Sequence, residues 1–127
     1  MSEILSSAWV SQWLETIAQD RELSHIGKLS RFALKLNVGG TTACFKFVQG
    51  QFEFFEGVLA PDLDVVEFVG SHPAWEKMLK VVPDPLYSDF LAMEKSQEDF
   101  SIPSERLYLL RHLRVLQRLL TIAPRRG

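Results

Sequence analysis

Between residues 30 and 58 apolar and polar side chains take turns, and glycines punctuate the alternation. A strand places successive side chains on opposite faces, so such a run has one face to bury and one to leave toward water. Phe32, Leu34, Leu36 and Val38 alternate with Arg31, Ala33, Lys35 and Asn37, which predicts a first strand. Gly39-Gly40 signals a turn, and residues 41–48 predict a second strand with Ala43, Phe45 and Phe47 on one face. Gly50 sits in the short turn Gln49-Gly50-Gln51, and residues 52–58 predict a third strand with Phe52 and Phe54 on one side. Three runs joined by short glycine turns make an antiparallel meander.

A meander with one apolar face must be covered, and the flanking segments read as its cover. Ser6 or Ser7 caps a predicted helix running to about residue 20, with Trp9, Trp13 and Ile17 every four residues on one face. Residues 20–28 are polar and predict a short turn or helix. After the break at Ala60-Pro61-Asp62, residues 64–69 predict a fourth strand ended by Gly70. Ser71 then caps a helix with Pro73 in its first turn and Trp75, Met78 and Leu79 on its apolar face, and Pro83-Asp84-Pro85 stops it. Residues 86–93 predict another short helix, and residues 94–100 are compatible with a fifth, edge strand. Ser104 opens a long last helix with Leu109, Leu113, Leu116 and Leu120 on one stripe, Arg111, Arg114 and Arg118 on another, and Pro124 at its end.

With 127 residues the chain fits one domain, spanning residues 1–127 with a core at about 7–122, and can bury roughly two-thirds of its unfolded surface. The net charge of −2 gives no global attraction to nucleic acid, and the basic stripe of the last helix lacks interleaved exposed aromatics, so no nucleic-acid partner is expected. Acidic residues gather between Glu53 and Glu67 and arginines from Arg106 onward. These are two solvated faces, or the arginines form a basic helix that docks on an anionic membrane or an acidic protein. Cys44 is the only cysteine, so no internal disulfide can form; it reads as a small core residue in a reducing compartment. The first residues lack a signal-peptide pattern, and no run approaches the roughly 18 apolar residues of a membrane span. A cytoplasmic location is expected.

The order of segments resembles the sterol carrier protein-2 (SCP2) family, in particular its short stand-alone bacterial-type members, over about residues 7–122. The matching pieces are the Trp-bearing first helix, the meander, the strand Asp64-Val65-Val66-Glu67-Phe68-Val69-Gly70, the helix Ser71-His72-Pro73-Ala74-Trp75-Glu76-Lys77-Met78-Leu79, the pair Asp84-Pro85, and the closing Leu109-Leu110-Arg111-His112-Leu113-Arg114-Val115-Leu116-Gln117-Arg118-Leu119-Leu120. The chain departs from the family between Leu91 and Glu105, where the usual glycines are missing. The resemblance implies an α+β fold: a curved, mainly antiparallel five-stranded sheet covered on one face by helices, with an apolar cavity between the layers. It further implies binding of a sterol, fatty acyl group or other lipid-like small molecule for carriage or presentation, without cofactor or metal. The expected ligand walls are Trp9, Trp13, Phe45, Phe47, Phe54, Trp75, Phe90, Leu109 and Leu113, and Arg111, Arg114 and Arg118 are the expected docking residues. A monomer or a homodimer is compatible with all of this.

Two other readings compete. In one, the same pocket performs cofactor-free acid–base chemistry of an isomerase, dehydratase or aldolase type. Its candidates are Glu67, placed on a strand face between Val65 and Val69, His72 at a helix start, and Asp62 with Asp64, which would share a strand face. In the other, the domain is an accessory subunit with an apolar face for a protein partner. The three histidines, His25, His72 and His112, show no metal-ligand spacing, and His112, among arginines, reads as a solvated helix residue.

Overall fold

The computed structural model describes residues 4–80 and 90–125. The meander forms as expected. Strand β1 (Arg31–Val38) pairs antiparallel with β2 (Thr41–Val48) along its whole length, from Arg31↔Val48 to Val38↔Thr41. Strand β3 (Gln51–Phe54) continues the meander from Val48↔Gln51 to Phe45↔Phe54. It is shorter than expected, because after Phe54 the chain peels off the edge. It passes Gly57, whose φ of +129° suits a residue without Cβ, and runs over the outer face of the sheet. There the Lys46 ammonium sits 4.6 Å from the centre of the Phe55 ring. This excursion brings β4 (Asp64–Gly70) to the far side of β1, in parallel, with Phe32 opposite Asp64 and Val38 opposite Gly70. The short edge strand β5 (Phe100–Ser101) pairs antiparallel with β4, so the sheet order is β3-β2-β1-β4-β5.

The helices start where short polar side chains can satisfy their first amides. In α1 (Ser7–Ala18) the Ser6 hydroxyl accepts from Trp9 N at 3.2 Å; in α3 (His72–Met78) the Ser71 hydroxyl accepts from Ala74 N at 3.2 Å. The polar stretch after α1 is a short helix, α2 (Arg21–Ile26). Helix α4 (Phe90–Ser96) coincides with the end of the helix expected over 86–93 and extends past it; the stop at Pro83-Asp84-Pro85 and the first part of that helix lie outside the described residues. The long last helix is interrupted. It consists of α5 (Arg106–Arg111) and α6 (Leu113–Thr121), separated at His112, whose φ of −110° and ψ of 17° leave the helical region.

The core lies between the sheet and the helices. Phe32, Leu34, Leu36, Phe45, Phe47, Val66 and Phe68 point inward from the central strands and have no exposed surface. Trp13 of α1 meets Phe45 and Phe52 edge-on, with ring centres 5.2 and 5.1 Å away, while Phe45 stacks on Phe52 at 5.0 Å. Each such pair adds about 0.5–1.5 kcal/mol to what burial contributes. Cys44 departs from the sequence reading. It lies half-buried on the outer face, beside the inward Ala43 and Phe45, and burial pushes its thiol pKa up.

Candidate functional site

The expected ligand walls come from seven elements of the fold, α1, β2, β3, α3, α4, α5 and α6, and most converge on the interlayer core. Trp13, Phe45, Phe47 and Leu109 have no exposed surface, and Trp9, Trp75 and Phe90 are buried. All seven belong to one continuous apolar cluster. Leu113 is half-buried against this cluster, and Phe54, at the open end of β3, is 45% exposed. The indoles are anchored at their polar ends. Trp13 Nε1 donates to the Leu119 carbonyl at 2.9 Å, Trp9 Nε1 to Pro124 at 3.3 Å, and Trp75 Nε1 to Asn37 at 2.8 Å.

The groups weighed for acid–base work do not meet one another. Glu67 falls on the half-buried outer face of β4, in register with Lys35 of β1, so it does not enter the apolar interior. The two aspartates are drawn apart by different cations. Asp62 takes Arg31 at 2.8 Å on the surface, and Asp64 turns toward α5. His72 is partly exposed and its Nδ1 lies 3.2 Å from Glu76, one helical turn along. Among the described residues, no three His, Cys, Asp or Glu side chains form a metal ligand set.

Asp64 instead builds a cluster that sequence reasoning missed. Its Oδ2 accepts from Arg111 Nη1 at 2.8 Å and lies 2.8 Å from His112 Nε2. His112 is 4% exposed, and its ring lies 4.6 Å from that of Phe32 on β1. The break between α5 and α6 falls at this residue. Desolvation raises the Asp64 pKa, but the hydrogen bonds from His112 and Arg111, with the Arg111 charge, outweigh it and hold the carboxyl below its ordinary value. The other ring nitrogen, His112 Nδ1, is shielded from solvent and has no hydrogen-bond partner among the described residues. A signal for this was present in the sequence. His112 lies at helical spacing on the Leu109, Leu113 and Leu116 stripe, so it faces the core, although arginines flank it in the chain.

The arginine stripe is also reorganised. Arg118 makes a two-pronged pair with Asp20, both bonds 2.9 Å, and Arg111 is held by Asp64. Of the three expected docking residues, Arg114 is the one left exposed without an ion pair among the described residues. Near it on α5, Leu107 and Leu110 are each 56% exposed.

No family model matches this chain, and no curated protein does. Solved structures do. The crystal structure of sterol carrier protein 2 superposes with a TM-score of 0.61 at 14% identity, covering 94% of this chain and 96% of that one. The chain has the sterol carrier protein-2 fold. A UbiJ-SCP2 ubiquinone synthesis protein matches with a TM-score of 0.61 at 15% identity over 94% of this chain and 96% of its own. A conserved hypothetical protein from Thermus thermophilus, put forward as a sterol carrier protein, matches with a TM-score of 0.63 at 14% identity over 96% and 90%. The missing glycines between Leu91 and Glu105 therefore do not abolish the SCP2 fold; β5 is present there as two residues. No helix among the described residues is long and apolar enough to cross a membrane.

Proposed function

We propose that this SCP2-fold domain takes an apolar, lipid-like metabolite between its sheet and its helices and carries or presents it. The observation that carries the reading is the fold itself, shared over nearly the whole chain with proteins named as a sterol carrier and as a ubiquinone synthesis protein. A sterol and a ubiquinone are both mainly hydrocarbon, and the interlayer of this chain is built from rings and aliphatic side chains. Burial of a few hundred Å² of hydrocarbon at about 25 cal/mol per Å² supplies several kcal/mol before ordering costs. Trp9, Trp13, Phe45, Phe47, Trp75, Phe90 and Leu109 form the inner wall in this reading, with Phe54 and Leu113 at its margin. We put entry at the β3 edge, where Phe52 is half-buried and Phe54 is partly exposed, because aromatic surface continuous with the core already reaches solvent there. The acid–base alternative has less support, since Glu67, His72 and Asp62 each face a different environment.

Delivery to an anionic surface is assigned to α5 and the start of α6, where exposed Leu107 and Leu110 accompany Arg114. The decisive experiment is native mass spectrometry of gently purified protein, with displacement of a fluorescent fatty acid in parallel. A bound apolar mass, or saturable dye uptake, is the expected result. An empty protein that takes up no dye ends the carrier reading.

A further inference from the structure

We propose that His112 Nδ1 is the polar anchor for the carried molecule, and that the preferred ligand is an apolar alcohol or phenol whose hydroxyl donates to this nitrogen. The inference rests on the carrier reading above and names the ligand class of that same interior.

Nε2 is 2.8 Å from Asp64 Oδ2, and an ionised carboxylate only accepts, so Nε2 carries the hydrogen. The Asp64 charge is already balanced by Arg111 at 2.8 Å. In the neutral ring Nδ1 then presents a lone pair, which accepts and cannot donate. That lone pair is buried, and no described residue supplies a donor. Buried polar atoms in folded proteins are nearly always paired, and one that the protein does not pair is suited to a partner from outside. A structural role alone is already met by the bond between Nε2 and Asp64.

The position fits the fold. His112 is 4% exposed, at the break between α5 and α6, and its ring lies 4.6 Å from Phe32 of the central strand β1. A hydroxyl docked on Nδ1 lies beside the Phe32 ring, and its hydrocarbon has to part the apolar side chains that fill the interlayer. A carbonyl or an ether, having no hydrogen to give, gains nothing at a lone pair. Discrimination by a buried acceptor is asymmetric in this way: a ligand that lacks the hydrogen leaves the acceptor unmet.

The test compares dodecanol with dodecyl methyl ether as competitors for a fluorescent fatty acid. Wild-type protein is expected to hold the alcohol about tenfold tighter than the ether. His112→Gln, which keeps an N–H within reach of Asp64 and removes Nδ1, is expected to bring that ratio to about one. If wild-type protein shows no preference, or the variant keeps it, the anchor is wrong while carriage stands. If neither competitor nor dye binds, the carrier reading falls and the anchor with it. A second measurement does not depend on the variant folding. In wild-type protein labelled with 15N-histidine, the His112 Nδ1 resonance is expected to move when dodecanol is added and to stay when the ether is added. A resonance that responds to neither, or to both alike, overturns the proposal.

Discussion

Trp13, in the first helix, donates its indole N–H to the carbonyl of Leu119, in the last turn of the last helix, at 2.9 Å across 106 residues of chain. The final carbonyls of a helix have no partner within it. Trp13 supplies one of the missing donors, and Trp9 reaches the Pro124 carbonyl just beyond. The tryptophans that look like ligand walls are also the clips that hold the two ends of the chain together, so wall and scaffold are the same side chains.

Trp13→Phe removes that donor and leaves a buried carbonyl unmet, which costs about 1–3 kcal/mol. Trp13→Ala also empties the space beside the stacked Phe45 and Phe52 rings and costs about 3–5 kcal/mol. Urea unfolding followed by circular dichroism is expected to rank them wild type, Phe, Ala. Equal midpoints for wild type and Trp13→Phe would show that the hydrogen bond contributes nothing.

Gly27 is needed for space. A Cβ built there comes within 2.4 Å of Phe47 Cζ and 2.7 Å of the Leu23 carbonyl oxygen. Gly27→Ala is expected to destabilise by about 1–3 kcal/mol through overpacking. In a Phe47→Leu background the penalty is expected to shrink without vanishing, because the carbonyl remains. A double-mutant cycle with no coupling between the two positions contradicts this account.

Acid is expected to loosen the fold through two aspartates. The Asp20 pKa is lowered chiefly by its hydrogen bonds from Arg118, and that of Asp64 lies below the ordinary value for the reasons given above. A carboxyl depressed in the folded state binds a proton more readily when unfolded. Its stabilisation is therefore complete above the unfolded value of about 3.9, and is lost as pH falls through the folded one. Urea midpoints measured from pH 6 to pH 2.5 are expected to fall more steeply for wild type than for Asp20→Asn or Asp64→Asn. Parallel curves would mean these pairs do not couple to folding.

The docking assignment makes its own prediction. Leu107→Ser, Leu110→Ser and Arg114→Glu together are expected to slow lipid transfer to phosphatidylserine-containing vesicles. As exposed positions they leave stability within about 0.5 kcal/mol. Raised salt is expected to slow the wild type in the same direction. Transfer at an unchanged rate removes α5 from the delivery step.

Much of the fold could be read along the chain. The period-two runs identified β1 and β2 and the buried side of Phe45 and Phe47, and the same alternation turns Cys44 and Lys46 outward, which overrides the core reading of Cys44. The serines before α1 and α3 marked their starts for an equally local reason, since a cap bonds to an amide three residues away. The site was less legible. Glu67 sits between two valines, and alternation alone does not say which face of a strand carrying valines on both sides is inward. Phe68 and Val66, packed under the helices, settle it.

By itself, then, the sequence determined the elements, their caps and the ring-rich inner face, all of which depend on neighbours within a few residues. Only the tertiary structure decided that β4 runs parallel to β1, that the last helix breaks at His112, and that Asp64 meets a histidine 48 residues away in place of Asp62. The reason is physical. Periodicity specifies the direction in which a side chain points, but partners in a fold are chosen by strand order and register. A buried carboxylate takes whichever cation and donor the packing delivers to it.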